Sequence, residues 1–306
     1  MQAGIIRYGS LILGVFALST SAIFVKLAAA PASITAFYRL FFAVLILLPL
    51  LFFHKENRQA LCSLSKQEWG LGLLSGLFLA IHYVLWFESL NYTSVASSTV
   101  IVTLQPLFSF AGGHFLFKER VGKGVIASSL VAMAGCVIIG WGDVQINDQA
   151  LGGDFLAFIA AGIITAYFFI GQHMRKQLPV VPYSILGYTG GAFFLAIYAL
   201  SQQVSFTVYP LQTWKDFIGL ALIATILGQM VFNWLLKWLS ATVISMSILG
   251  EIIGTCLLAY FILGEVISWR QGVGIALTLA GLALFSVHKN RTSENKAHTG
   301  QSDCSA

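Results

Sequence analysis

The sequence predicts an all-α polytopic membrane protein whose ten transmembrane helices form two inverted five-helix repeats. Three observations lead there. First, 58% of the 306 residues are hydrophobic and 9% charged, against about 25% charged in a soluble domain. The apolar residues run in continuous stretches and do not alternate as barrel strands do. Second, the chain repeats at an offset of 146 residues: Phe115, Glu119 and Val121 fall on Phe261, Glu265 and Ile267, and Gly135 falls on Gly281. Third, the cations are not repeated, since Lys118, Arg120 and Lys123 fall on Gly264, Val266 and Trp269. A duplicated half that keeps its apolar pattern and loses its cations is a half inserted upside down.

The ten spans are expected at 8–28, 34–53, 69–89, 95–117, 122–140, 153–174, 182–201, 214–237, 242–263 and 269–288, each close to the roughly 20 residues a bilayer needs. The first has a single early cation, Arg7, and resembles a signal peptide, but it is long enough to span and nine more follow. The second carries Tyr38 and Arg39, the third His82, Tyr83 and Trp86, and the fourth Gln105-Pro106. The fifth is punctuated by Gly135 and Gly140, which allow close helix packing. Tyr167 lies in the sixth span, Pro182 opens the seventh, Gln229, Asn233 and Trp234 lie in the eighth, and Glu251 in the ninth. The tenth contains Gly272, Gly274 and Gly281. Residues 1–145 form the first repeat and 146–288 the second; the polar tail 289–306 lacks periodicity and is expected to be disordered.

Alternate loops hold 13 of the 17 Lys and Arg residues. The positive-inside rule then places both termini of a multi-pass protein in the cytoplasm. The cations meet this topological demand and are no nucleic-acid signal. Five spans per half is an odd number, so tandem copies face opposite ways. The four cysteines, Cys62, Cys136, Cys256 and Cys304, have neither paired nor metal-type spacing. No His, Cys, Asp and Glu cluster has metal-ligand spacing, and no Walker-type glycine loop is present, so neither a metal, a cofactor nor an ATP-driven motor is expected.

Several short motifs, in order, resemble one family. Pro31 is followed by Tyr38-Arg39-Leu40 and Ala43; Leu104-Gln105-Pro106-Leu107 is followed by Phe117-Lys118-Glu119-Arg120; and Leu263-Gly264-Glu265 repeats the latter turn. The chain resembles the drug/metabolite transporter superfamily in its ten-helix EamA-type branch, from about residue 8 to 288. The resemblance implies a small-metabolite transporter with a cavity between the halves. Many such proteins export amino acids, and some carry nucleotide-like compounds such as S-adenosylmethionine. One departure is plain: the second half has Glu251-Ile252 in place of Gln105-Pro106, so its kink is expected to be lost and a carboxyl to stand in its place. Pro182 also has no arginine eight residues on.

Ionisable groups inside a membrane are costly and therefore candidates for function. Glu251 lies about 14 Å into its span at 1.5 Å per residue, and either exchanges a proton, binds a substrate ammonium or ties helices together. Gln105 is its repeat partner, and Pro106 frees the Val102 carbonyl beside it. His82 and Trp86 share a helix face, with Tyr83 beside them; they hold a ring or a cation, or His82 bonds a neighbouring carbonyl. Arg39, with Tyr38, is near the external end and either snorkels to the interface or grips a substrate carboxylate. Gln229, Asn233 and Tyr167 are either cavity-lining groups or interhelical glue. Glu119 and Glu265 are expected to bind backbone N–H groups at interfacial turns. The partners in view are a small-molecule substrate, membrane lipids and a second copy of the chain. An intramembrane enzyme would need a catalytic cluster at one interface, and the sequence offers none.

Overall fold

The computed structural model describes residues 2–93, 95–119, 122–141, 148–263 and 268–302. Nine of its helices are long and apolar enough to cross a membrane, and a tenth apolar helix, Lys123–Ile139, is shorter. The first four spans run as follows. Helix α1 (Gln2–Ala28) turns at Ala29, in the left-handed region, and Pro31 into α2 (Ala32–Phe53). A short surface helix α3 (Lys55–Cys62) follows, then α4 (Lys66–Tyr92), whose start is fixed by a capping box between Ser65 and Glu68. The fourth span is two pieces, α5 (Val95–Val102) and α6 (Gln105–Phe117).

Helix α7 (Lys123–Trp141) ends the first half, and the turn containing Arg120 and the expected junction near residue 145 lie outside the described residues. The second half begins with α8 (Asp148–Met174) and α9 (Val180–Ser201). Its third span starts as α10 (Leu211–Gly219), widens into a π-helix over Leu220–Gln229 and closes as α11 (Met230–Leu235). The fourth is again two pieces, α12 (Ala241–Ile248) and α13 (Glu251–Leu258), running on as π-helix through Ala259–Leu263. The turn containing Glu265 lies outside the described residues. The last helix is α14 (Trp269–Ser302), whose bounds run past the tenth span into the polar tail.

One correction concerns the ninth span. It lacks the proline of the fourth, yet its kink is not lost. The helix breaks at Leu249-Gly250, immediately before Glu251, as the fourth breaks at Thr103-Leu104 before Gln105. Where the fourth span has Pro106 just after its break, the ninth has Gly250 within it. Gln105 and Glu251 each begin the second piece of their span, 146 residues apart.

The contacts between halves show the inversion. α1 packs on the π-helical span of the second half and α4 on α8, while α2 meets α9, α7 meets α14, α6 meets α12, and α5 meets α13. The α7–α14 crossing is antiparallel: Gly135 lies against Thr278, and Gly281 against Ala132. These two contacts exchange when 146 is added, so a pseudo-two-fold axis passes between them. A Cβ on Gly135 would fall 2.5 Å from the Thr278 amide nitrogen. We expect Gly135→Leu to cost about 1–3 kcal/mol by overpacking, which lowers the melting temperature in detergent by roughly 2–10 °C. Gly272, with nothing within 4 Å of its Cβ position, tolerates the same substitution; equal melting temperatures for the two variants would refute this packing account.

Candidate functional site

The breaks in the fourth and ninth spans bring Gln105 and Glu251 to one small cavity at the centre of the bundle. The cavity is built from repeat-related pairs: Leu18 and Ile164, Tyr83 and Gln229, Val102 and Ile248, and Gln105 and Glu251 each line it, and each pair is 146 apart. It therefore lies on the axis relating the halves. His82, Trp86 and Phe168 complete the wall and break the symmetry, since 146 added to or taken from them gives Gly228, Phe232 and Ala22.

The wall mixes apolar side chains with polar ones that are unsatisfied. Gln105 Oε1, Gln229 Nε2, Trp86 Nε1 and the Tyr83 hydroxyl are buried and lack hydrogen-bond partners among the described residues. Leaving one such group unpaired costs about 1–3 kcal/mol, so four around one space mark a place built for something to bind. The space is only about 20 Å³, room for one water molecule. Nothing larger fits there in this conformation.

Arg39 corrects the snorkelling expectation: it is fully buried. Its Nε donates to Thr225 Oγ1 at 2.9 Å, its Nη1 to Ser21 Oγ at 2.7 Å, and its guanidinium sits 4.3 Å from the Tyr83 ring centre. Nη2 has no partner. Thr225 belongs to the π-helical segment, a rare geometry that re-aims side chains within a span. Arg39 does not line the cavity itself; it lies on Tyr83, which lines it together with Glu251.

His82 has a backbone partner: its Nδ1 donates to the Ala160 carbonyl at 3.0 Å. Its ring stacks on Trp86, centroids 5.8 Å apart. Four expected site residues do not line the cavity: Arg39, which is one ring removed behind Tyr83, and Tyr38, Tyr167 and Asn233. The Tyr38 hydroxyl donates to the Phe206 carbonyl at 2.8 Å, within an aromatic cluster with Trp214 and Phe217. Tyr167 donates to Asn233 Oδ1 at 2.8 Å, and Asn233 Nδ2 donates to Ser184 and Tyr188. That network is interhelical glue between spans six, seven and eight, and it leaves Gln229 as the cavity-facing member of its pair. Arg175, counted as a loop cation, is buried and donates to the Asn233 and Leu178 carbonyls. Burial lowers its pKa to about 10, still well above neutral, so it keeps its charge.

Glu119 makes a contact the sequence did not suggest. Lys118 ends α6 in the left-handed conformation, φ 53°, and folds Glu119 back along the helix. Its carboxylate accepts from Thr242 Oγ1 at 2.9 Å and from Gln172 Nε2 at 3.4 Å, while Gln172 Oε1 accepts the Ala241 N–H at 2.6 Å. A first-half acid thus holds the start of α12 in the second half, where Gly113 allows the close approach. The signal is hidden because lysine, not glycine, takes the left-handed position.

A small cavity on the axis of two inverted, broken-helix repeats is the architecture of a membrane transporter. The chain belongs to the EamA-like transporter family, whose pattern matches residues 6–141 and 151–287. It is 28% identical to the uncharacterized transporter sll1164 of Synechocystis, over 81% of this chain and 74% of that one. It is 25% identical to the uncharacterized transporter YwfM of Bacillus subtilis, over 74% and 77%. It is also 23% identical to the S-adenosylmethionine uptake transporter of Rickettsia felis, over 87% and 86%. A crystal structure of a protein 17% identical in sequence superposes with TM-score 0.74, covering 94% of this chain and 97% of the other.

Proposed function

We propose that the protein is a proton-coupled carrier that exports an amino acid or similar amphoteric metabolite across the inner membrane, with both termini cytoplasmic. The observation that carries this reading is the cavity that Glu251 and Tyr83 line beside four unpaired polar atoms, with the Arg39 guanidinium 4.3 Å from the centre of that same Tyr83 ring. A carboxyl in the cavity and a guanidinium on one of its walling rings match the ammonium and carboxylate of a zwitterion once the walls part. The halves rock about the axis, so that Gln105 and Glu251 face first one side and then the other.

A second reading is uptake of a nucleotide-like compound. It is favoured by the stacked His82 and Trp86 rings, which suit an aromatic base, and by the printed activity of the Rickettsia relative. Proteoliposomes offered labelled amino acids and S-adenosylmethionine, with and without an imposed pH gradient, separate the two. Gradient-driven amino-acid flux supports the first reading. Flux of S-adenosylmethionine alone sinks it in favour of the second, and no flux for either sinks both.

A further inference from the structure

Away from the axis, α1, α12, α13 and α14 leave a groove of about 570 Å³ open to the membrane. Its walls are almost wholly apolar, with Leu11 and Val15 facing Val243 and Leu282 across a floor that includes Gly250. Along α1 it runs from Tyr8 to Phe16, about 12 Å at 1.5 Å per residue. That is close to the depth of one leaflet of a hydrocarbon core about 30 Å thick. At the Tyr8 end stand two cations on one indole: Arg7 lies 4.8 Å and Lys237 5.6 Å from the Trp238 ring centre. Among the described residues neither meets an acidic side chain.

We propose that this groove is a binding site for one anionic phospholipid, its acyl chain along α1 and its phosphate between Arg7 and Lys237. A chain fills an apolar channel of leaflet depth, and an anion relieves two like charges held beside one ring. A second copy of the protein fits less well, because a two-fold interface over this groove would bring four cations together. The site is independent of the transport cavity, and its test does not require transport.

The test is native mass spectrometry of protein taken from vesicles of equal dioleoyl phosphatidylglycerol and dioleoyl phosphatidylcholine. Wild type is expected to retain one phosphatidylglycerol in preference to phosphatidylcholine. Arg7→Gln and Lys237→Gln, both at the surface, are each expected to reduce that preference about fivefold, the equivalent of about 1 kcal/mol per interfacial cation. Ser247→Phe, which fills the groove, is expected to abolish retention of either lipid, and Ile12→Trp on its exposed lip serves where Ser247→Phe does not fold. Retention that survives filling, a preference untouched by both charge substitutions, no bound lipid in wild type, or a dimer covering the groove would each overturn the proposal.

Discussion

Glu251→Gln is expected to abolish the response of transport to a pH gradient while leaving the fold intact. Glutamine has the shape of glutamate, so the packing around α13 is kept; the substitution also makes both axis positions amides. What is lost is the group that can carry a proton. The charged and titratable groups near it are Arg39 on α2 and His82 and Tyr83 on α4. None replaces it, because Arg39 is held by Ser21 and Thr225, and His82 by Ala160. Gradient-driven flux should fall by about five- to hundredfold, the range of a coupling free energy of about 1–3 kcal/mol. Flux in proteoliposomes is the measurement. If wild type and variant carry substrate equally with no sensitivity to the gradient, Glu251 is structural and the protein a facilitator. The double variant Gln105→Glu with Glu251→Gln moves the carboxyl to the other half and, if position on the axis is what matters, restores part of the response.

Glu119→Ala is expected to loosen one face of the transporter. The Glu119 carboxylate accepts from Thr242 and Gln172 and so joins the end of α6 to the start of α12 and the last turn of α8. Hydrogen bonds to a charged group contribute about 1.5–3 kcal/mol each, so losing even one shifts the open–closed balance about tenfold or more. Ser245 reports the change: it is fully buried on α12, about a turn from Thr242. With Ser245→Cys in a background lacking the native cysteines, Glu119→Ala should raise the labelling rate by an impermeant maleimide about tenfold, while Glu119→Gln, which keeps one acceptor, has a smaller effect. An unchanged rate in a protein with an unchanged melting temperature would leave Glu119 as a local cap and no gate.

The sequence exposes the architecture because membrane spans are selected by length and hydropathy alone, and inversion by where cations sit. It exposes the centre of the site for a related reason: Glu251 and Gln105 are polar at midspan and repeat at one offset. What it hides is rotation and breakage. Tyr38 is adjacent to Arg39, yet one faces an aromatic cluster and the other the bundle centre. Asn233 shares a helix face with Gln229 on paper, but Tyr167, Ser184 and Tyr188 absorb it. The π-helical turns before Gln229 shift the phase that such face counting assumes. The break before Glu251 falls at Leu249-Gly250, where no proline marks it in the sequence.

The placement of Gln105 and Glu251 on the axis has an electrical consequence. Carrying one elementary charge across a membrane held at 100 mV takes or yields about 2.3 kcal/mol. In the proposed carrier a carboxyl on the pivot stays at one depth while the open side changes, so the membrane field falls first on one side of it and then on the other. A turnover made with that carboxyl charged is therefore sensitive to voltage although the residue does not move, and a turnover made with it protonated is not.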